Sequence, residues 1–205
     1  MVVKESAMIQ MKALTRSQGN EAQPRHICIV TETYPPEVNG VAFTLAHLSE
    51  GLRNQGYAVS LVRPRQKYFD DAGRHVNSNG TLLRSLPLPG YKGLRIGLPA
   101  RRALRRRWCE QLPDVVYVAT EGPLGLSAVR VATGLGIPVF SGFHTNFHSY
   151  LQYYRAAWLK PAILRYLRWF HNQTMGTIVA CADLRDELQT IGVKNTNITV
   201  VASIR

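Results

Sequence analysis

The feature that most restricts the fold of this sequence is an alternation of short, continuous apolar runs with stretches of helical period. His26-Ile27-Cys28-Ile29-Val30-Thr31 is an apolar run of strand length. After the turn-rich Pro35-Pro36-Glu37-Val38-Asn39-Gly40, the residues Val41, Leu45, Leu48 and Leu52 recur at i, i+4, i+7 and i+11, and Gly56 supplies a left-handed helix stop. Val59 to Val62 is the next strand, and further strands are expected at 82–86, 115–119, 138–141, 178–181 and 198–201. Helices are expected between most of them, over 101–111, 124–134, 161–175 and 184–191, the last behind a cap-like Asp183. Unbroken apolar strands imply burial on both faces, so the fold class predicted is α/β: a Rossmann-like, doubly wound parallel sheet wrapped by helices.

A chain of 205 residues suits one well-buried domain rather than two. Residues 1–24 are polar and without period, and read as a flexible tail, so the domain is placed at 25–205. They lack the apolar run of a secretory signal, and no later segment approaches the roughly 18 apolar residues of a membrane span. Cys28, Cys109 and Cys181 form no CxxC pair, and are expected as reduced core thiols of a cytoplasmic protein. The 25 Lys and Arg against 13 Asp and Glu point to anionic partners: phosphates, anionic lipid or nucleic acid.

In such a sheet ligands bind beyond the carboxyl ends of the strands, so the loops at 32–40, 63–80, 87–97, 120–124 and 142–160 are where chemistry is expected. Asn39-Gly40 opens a helix directly after a strand. It offers free N–H groups and a close backbone approach to a phosphate or sugar, or simply makes an ordinary strand-to-helix turn. It is neither GxGxxG nor GxxxxGK[ST], which disfavours a nicotinamide enzyme or a P-loop ATPase. Gly142-Phe143-His144-Thr145-Asn146-Phe147-His148-Ser149-Tyr150 brings two histidines, an amide, hydroxyls and aromatics to one strand end, a set suited to sugar. The same histidines could be structural. Metal binding is disfavoured because no glutamate lies between them, and 122–182 holds no acidic residue at all. That scarcity also argues against a glycosidase-type carboxylate pair, which would have to be drawn from Glu32, Glu37, Glu121 and a few others, with none in the second half of the sheet until Asp183. A GxSxG elbow is absent.

ETYPPEVNGVAFTLAHLSEGLRNQGYAVSLVRP, TEGPLGLSAVRVATGLGIPVFSGFHTNFHSYLQYY and ACADLRDEL resemble the amino-terminal half of family-4 retaining glycosyltransferases. Within that family the resemblance is nearest to enzymes that glycosylate lipids, both mannosyltransferases and sulfoquinovosyl-diacylglycerol synthases. It implies the N-terminal, acceptor-side half of a GT-B fold, a nucleotide-sugar donor as co-substrate, a lipid-like acceptor, and no cofactor or metal. Carried over by position, it implies His144 as the catalytic histidine and Asn39 and Gly40 as the donor-phosphate loop. Glu121, Gly122, Pro123, Thr145, Asn146 and His148 are the implied substrate contacts. Asn39 stands where many relatives have a second glycine. The family's donor-binding domain is expected to be absent from this chain, which then reads as a fragment, a frameshifted product or one subunit of a split enzyme whose second polypeptide supplies that domain.

Between Ala72 and Cys109 lie nine basic residues and no acidic one. Ala100, Leu104, Trp108 and Leu112 repeat every four residues beside Arg101, Arg102, Arg105, Arg106 and Arg107. This is the pattern of an interfacial helix on anionic lipid, with the Trp108 indole inserted, at the inner membrane face. The stripe could equally pack on the sheet and leave the arginines solvated. A nucleic-acid partner is disfavoured because no recognised binding module accompanies the charge. The rival to an enzyme half is a non-catalytic, truncated or split binding module at the membrane surface.

Overall fold

The computed structural model of the protein describes residues 26–66, 80–87, 95–144, 157–194 and 198–200. Its centre is a seven-stranded, all-parallel sheet in the order β3-β2-β1-β6-β7-β8-β9. The strands are β1 (His26–Val30), β2 (Ala58–Pro64), β3 (Gly80–Leu83), β6 (Val115–Val118), β7 (Val139–Phe143), β8 (Gly176–Val179) and β9 (Ile198–Val200). Five α-helices accompany them among the described residues: α1 (Gly40–Asn54), α2 (Arg101–Glu110), α3 (Pro123–Gly134), α4 (Lys160–His171) and α5 (Ala182–Thr190). The strand order turns back beside β1, so the topological switch, where such sheets open a ligand crevice, falls between β1 and β6.

Strand alternation assigns the two sides of the sheet. Ile27 and Ile29 face the core that α1 closes with Leu45 and Leu52. Cys28 and Val30 face the opposite core, which α2 closes with Leu104 and Trp108, α3 with Leu124 and Ala128, and α4 with Phe170. A third cluster joins Leu167 of α4 and Leu188 of α5 to Phe143 and Val179. Both faces of β1, β6 and β7 are thus covered, which is why these strands carry no polar alternation. Gly56 takes φ 86° just past α1, as the helix stop required.

Beyond shifts of one or two residues at strand ends, such as β8 at Gly176–Val179 where 178–181 is expected, the structure differs from the sequence reading in five places. The single strand expected at 82–86 is two: β3 ends at Leu83, where pairing with β2 is exhausted, and Ser85 is held instead by Arg95. A short antiparallel ribbon of β4 (Ser85–Pro87) and β5 (Arg95–Gly97) results. Helix α4 stops at His171 rather than running to 175, because Thr174 and Met175 turn the chain into β8. The cap of α5 is Cys181, and Asp183 sits two residues on, within the first turn, where its charge faces the helix dipole. Of the three thiols only Cys28 is in the core. Cys109 and Cys181 are exposed, whereas burial pushes the Cys28 thiol up to about 11.

The fifth difference concerns Trp108, which is 2% exposed and so has no indole to insert into a membrane. Four residues after Leu104 it lies on the same helix face, and both side chains fill the layer between α2 and the sheet. The stripe therefore packs on the sheet, except that Leu112 lies beyond the helix end and is exposed. Arg101, Arg102, Arg105 and Arg106 are exposed, and Arg107 is half-buried with its guanidinium on Gln111 Oε1 at 3.1 Å. No described helix is long and apolar enough to cross a membrane. The polar tail at 1–24 and the residues Thr145, Asn146 and His148 lie outside the described residues.

Candidate active site

Three loops leave the carboxyl ends of the adjacent strands β1, β6 and β7 side by side. The β1 loop leads to Asn39, the N-cap of α1, whose Oδ1 accepts from the Ala42 N–H at 2.8 Å while its Nδ2 donates to Thr33 Oγ1 at 2.7 Å. The Asn39 side chain is thus spent on the loop itself. Gly40 is exposed, with open space where a Cβ would stand, and the N–H groups of Gly40 and Val41 open the helix, where no intrahelical carbonyl can reach them. The loop is braced from behind by Glu37, which accepts from Thr33 Oγ1 and from Gln66 Nε2.

Glu32, the first carboxylate after β1, closes the N-terminus of α3 from across the sheet. Its Oε1 accepts from the Leu124 N–H at 3.0 Å and its Oε2 from the Gly97 N–H, while its own N–H donates to Thr120 Oγ1 at 2.8 Å. A Cβ at Gly122 would fall on the Glu32 carboxylate, so a side chain there would push Glu32 off its backbone donors. Burial pushes the Glu32 carboxyl up to about 7, against the pull of the backbone donors Gly97, Leu124 and Gly125. Gly122 and Pro123 therefore serve first to seat this carboxylate and start α3, with Pro123 at the first helical turn.

His144 follows β7 directly. Its Nε2 lies 2.8 Å from the Tyr117 hydroxyl, and burial lowers its pKa against a smaller opposing effect of the Glu121 charge. Glu121 reaches the other histidine of the region: its Oε1 stands 3.5 Å from His171 Nε2. The Tyr166 hydroxyl of α4 donates to the Glu121 carbonyl at 2.5 Å, fastening that loop to α4. His171 Nδ1 is in turn 2.9 Å from Ser141 Oγ. Ser141, His171 and Glu121 thus lie in the order of a hydrolase triad. They do not form one, because Ser141 is fully buried inside β7 and also bonded to Thr174 and Thr177 at 2.9 and 3.1 Å. Among the described residues no group of His, Cys, Asp and Glu is arranged to hold a metal ion.

The structure thus sets Glu121 against His171, with its charge also acting on His144, and puts Asn39 and Gly40 beyond the end of β1, the neighbour of β6. Sequence reasoning passed over Tyr117, Tyr166 and His171, and considered Glu32 only for a hydrolytic pair. Tyr117 carried one signal: it is the only side chain with a polar tip in Val115-Val116-Tyr117-Val118, a strand buried at every position.

The model of Glycosyltransferase Family 4 matches residues 38–203. The chain belongs to that family. It is 32% identical over 171 residues to the alpha-monoglucosyldiacylglycerol synthase of Streptococcus pneumoniae, covering 82% of this chain and 38% of that protein. A GDP-mannose-dependent alpha-mannosyltransferase of Corynebacterium glutamicum is 26% identical over 176 residues, covering 84% of this chain and 42% of its own. Among solved structures, the UDP-GlcNAc 2-epimerase of Methanocaldococcus jannaschii superposes with a TM-score of 0.55 at 14% identity, covering 85% of this chain and 45% of that one. This family-4 chain accordingly has the Rossmann-like fold of the N-terminal half of a GT-B protein, and spans about two fifths of the length of the curated relatives it matches.

Proposed function

We propose that this domain is the acceptor-side half of a retaining glycosyltransferase that moves a sugar from a nucleotide-sugar donor to a lipid-type acceptor. The observation that carries the reading is the His144 corner, where a ring held by Tyr117 stands at the carboxyl end of a central strand, one strand from the switch point. His144 is the residue at the reacting sugar, and Gly40 with the first N–H groups of α1 takes the donor phosphate. Thr145, Asn146 and His148, which lie outside the described residues, extend the substrate contacts by their position in the sequence, as do Gly122 and Pro123. Of the carboxylates weighed for hydrolysis, Glu32 is held by backbone N–H groups and Glu37 by Thr33 and Gln66, while Glu121 faces His171 Nε2 at 3.5 Å. This favours transfer without a carboxylate pair, in which the leaving phosphate takes the acceptor's proton and neither metal nor cofactor is required.

The relative named alpha-monoglucosyldiacylglycerol synthase supports the lipid acceptor, and the greater length of the relatives supports a donor-binding domain supplied by a second domain or polypeptide. The exposed arginines of α2 support peripheral contact with an anionic membrane surface from the cytoplasmic side. The test is His144→Ala in an enzyme that contains both halves. Turnover should fall about 100-fold or more while the melting transition stays in place. A folded variant of undiminished activity removes His144 from the site. Membrane binding that survives with no transfer by any two-domain assembly would favour the non-catalytic module instead.

A further inference from the structure

The contact beneath His144 sets the protonation pattern of its ring. Tyr117 is 2% exposed in the middle of the sheet, and its hydroxyl reaches His144 Nε2 at 2.8 Å with the two rings edge to face, 6.4 Å apart at 86°. A neutral imidazole has one N–H and one bare nitrogen, while a phenol can donate or accept. Were Nε2 to carry the proton, the phenol would accept it, and its own proton would be left in the core without an acceptor among the described residues. Burial holds the Tyr117 phenol well above its ordinary range and lowers His144, so both groups are neutral at pH 7; the one charge acting on both is Glu121.

A second observation is independent of protonation. A Cβ at Gly142, two residues before His144, would fall on the Tyr117 hydroxyl and stand 2.6 Å from His144 Nε2. The two groups meet across the space that a side chain at 142 would fill, so the backbone itself leaves room for this pairing.

We propose that Tyr117 is the positioning residue of His144: its buried hydroxyl donates to Nε2 and fixes the tautomer whose proton is on Nδ1, making His144 a neutral hydrogen-bond donor to a ligand hydroxyl rather than a base. The ligand part rests on the proposed function, whereas the tautomer does not. Long-range nitrogen–proton NMR on the 15N-labelled 205-residue chain, with His144 assigned by its Ala variant, reads the tautomer directly. The expected spectrum has Nδ1 protonated and Nε2 bare at neutral pH. In Tyr117→Phe that preference should be lost and the His144 titration should move to higher pH, because the removed bond favoured the neutral ring. In a two-domain enzyme Tyr117→Phe should lower kcat about 10-fold, the loss of one hydrogen bond's orientation, with KM little changed. A wild-type ring protonated on Nε2 overturns the inference, as does an unchanged titration in the Phe variant; if that variant fails to fold, the wild-type spectrum alone decides. Retained activity of His144→Ala alongside an Nδ1–H ring would instead remove the ligand assignment and leave the role of Tyr117 standing.

Discussion

Helices α2 and α4 are both basic, both close the same core, and place their tryptophans in opposite ways. Helix α2 has five arginines in ten residues and buries Trp108 completely against the sheet. Helix α4 is less charged, with Lys160, Arg165 and Arg168, yet Trp169 is 39% exposed, and Trp158 just before the helix is 77% exposed. Helical phase explains the contrast. Trp108 stands four residues from the buried Leu104, in the same inward phase, whereas Trp169 immediately precedes Phe170, which takes the inward position and turns the indole outward by one residue's rotation. Arginine density reports where solvent must be, because cations are rarely buried. It says nothing about which way a neighbouring aromatic points.

The contrast is broken or kept first by stability. Trp108→Ala removes a fully buried indole from the contact between α2 and the sheet, and should cost about 3–5 kcal/mol. Trp158→Ala should cost no more than about 0.5 kcal/mol, as for other exposed side chains. Urea unfolding midpoints of the two variants measure both. Similar losses would mean that the two tryptophans are not in different environments.

Membrane affinity separates the same two helices in a second way. Changing Arg101, Arg102, Arg105 and Arg106 to Gln should weaken binding to anionic vesicles by about 4 kcal/mol, about 1 per residue, with the melting transition unmoved. Arg107 is left out because its guanidinium is engaged with Gln111. The pair Trp158→Ala and Trp169→Ala should weaken vesicle binding less, by about 1–2 kcal/mol, since only part of each indole could enter the interface. Co-sedimentation across a salt series reads both: the arginine contribution fades with salt and the tryptophan contribution does not. If the arginine variant binds as the parent does, the charged face of α2 is merely solvated.

The elements were legible in the sequence because they rest on local pattern. Runs such as Val115 to Val118 admit only a strand buried on both faces, and Val41, Leu45, Leu48 and Leu52 admit only one inward helix face. Boundaries were less legible where tertiary bonds decide them, as at Ser85, which Arg95 draws out of the sheet, and at Thr174, which ends α4. In the site, the position of His144 after β7 could be read from the chain. Its partner Tyr117, 27 positions earlier, could not, since only the parallel pairing of β6 with β7 brings them together. Glu32 illustrates the same limit: it is a charged residue after a strand until the fold shows it closing α3, 92 positions on.

The smallest effect expected is the most specific test of how α4 presents its outer face. The Arg130 guanidinium of α3 lies over the Trp169 ring, 5.6 Å from its centroid, so an exposed cation–π contact links the two helices beside the buried Phe170. Such contacts at exposed sites contribute about 0.5–1 kcal/mol. Comparing Arg130→Ala, Trp169→Ala and the double variant by urea unfolding isolates this coupling, because neither truncation disturbs the Leu124 and Phe170 core beneath. A coupling near zero would mean that Trp169 is held outward by helical phase alone. A coupling in the expected range would mean that α3 also pins the indole, and the tryptophan variants should then lose vesicle affinity less steeply when Arg130 is retained than when it is removed.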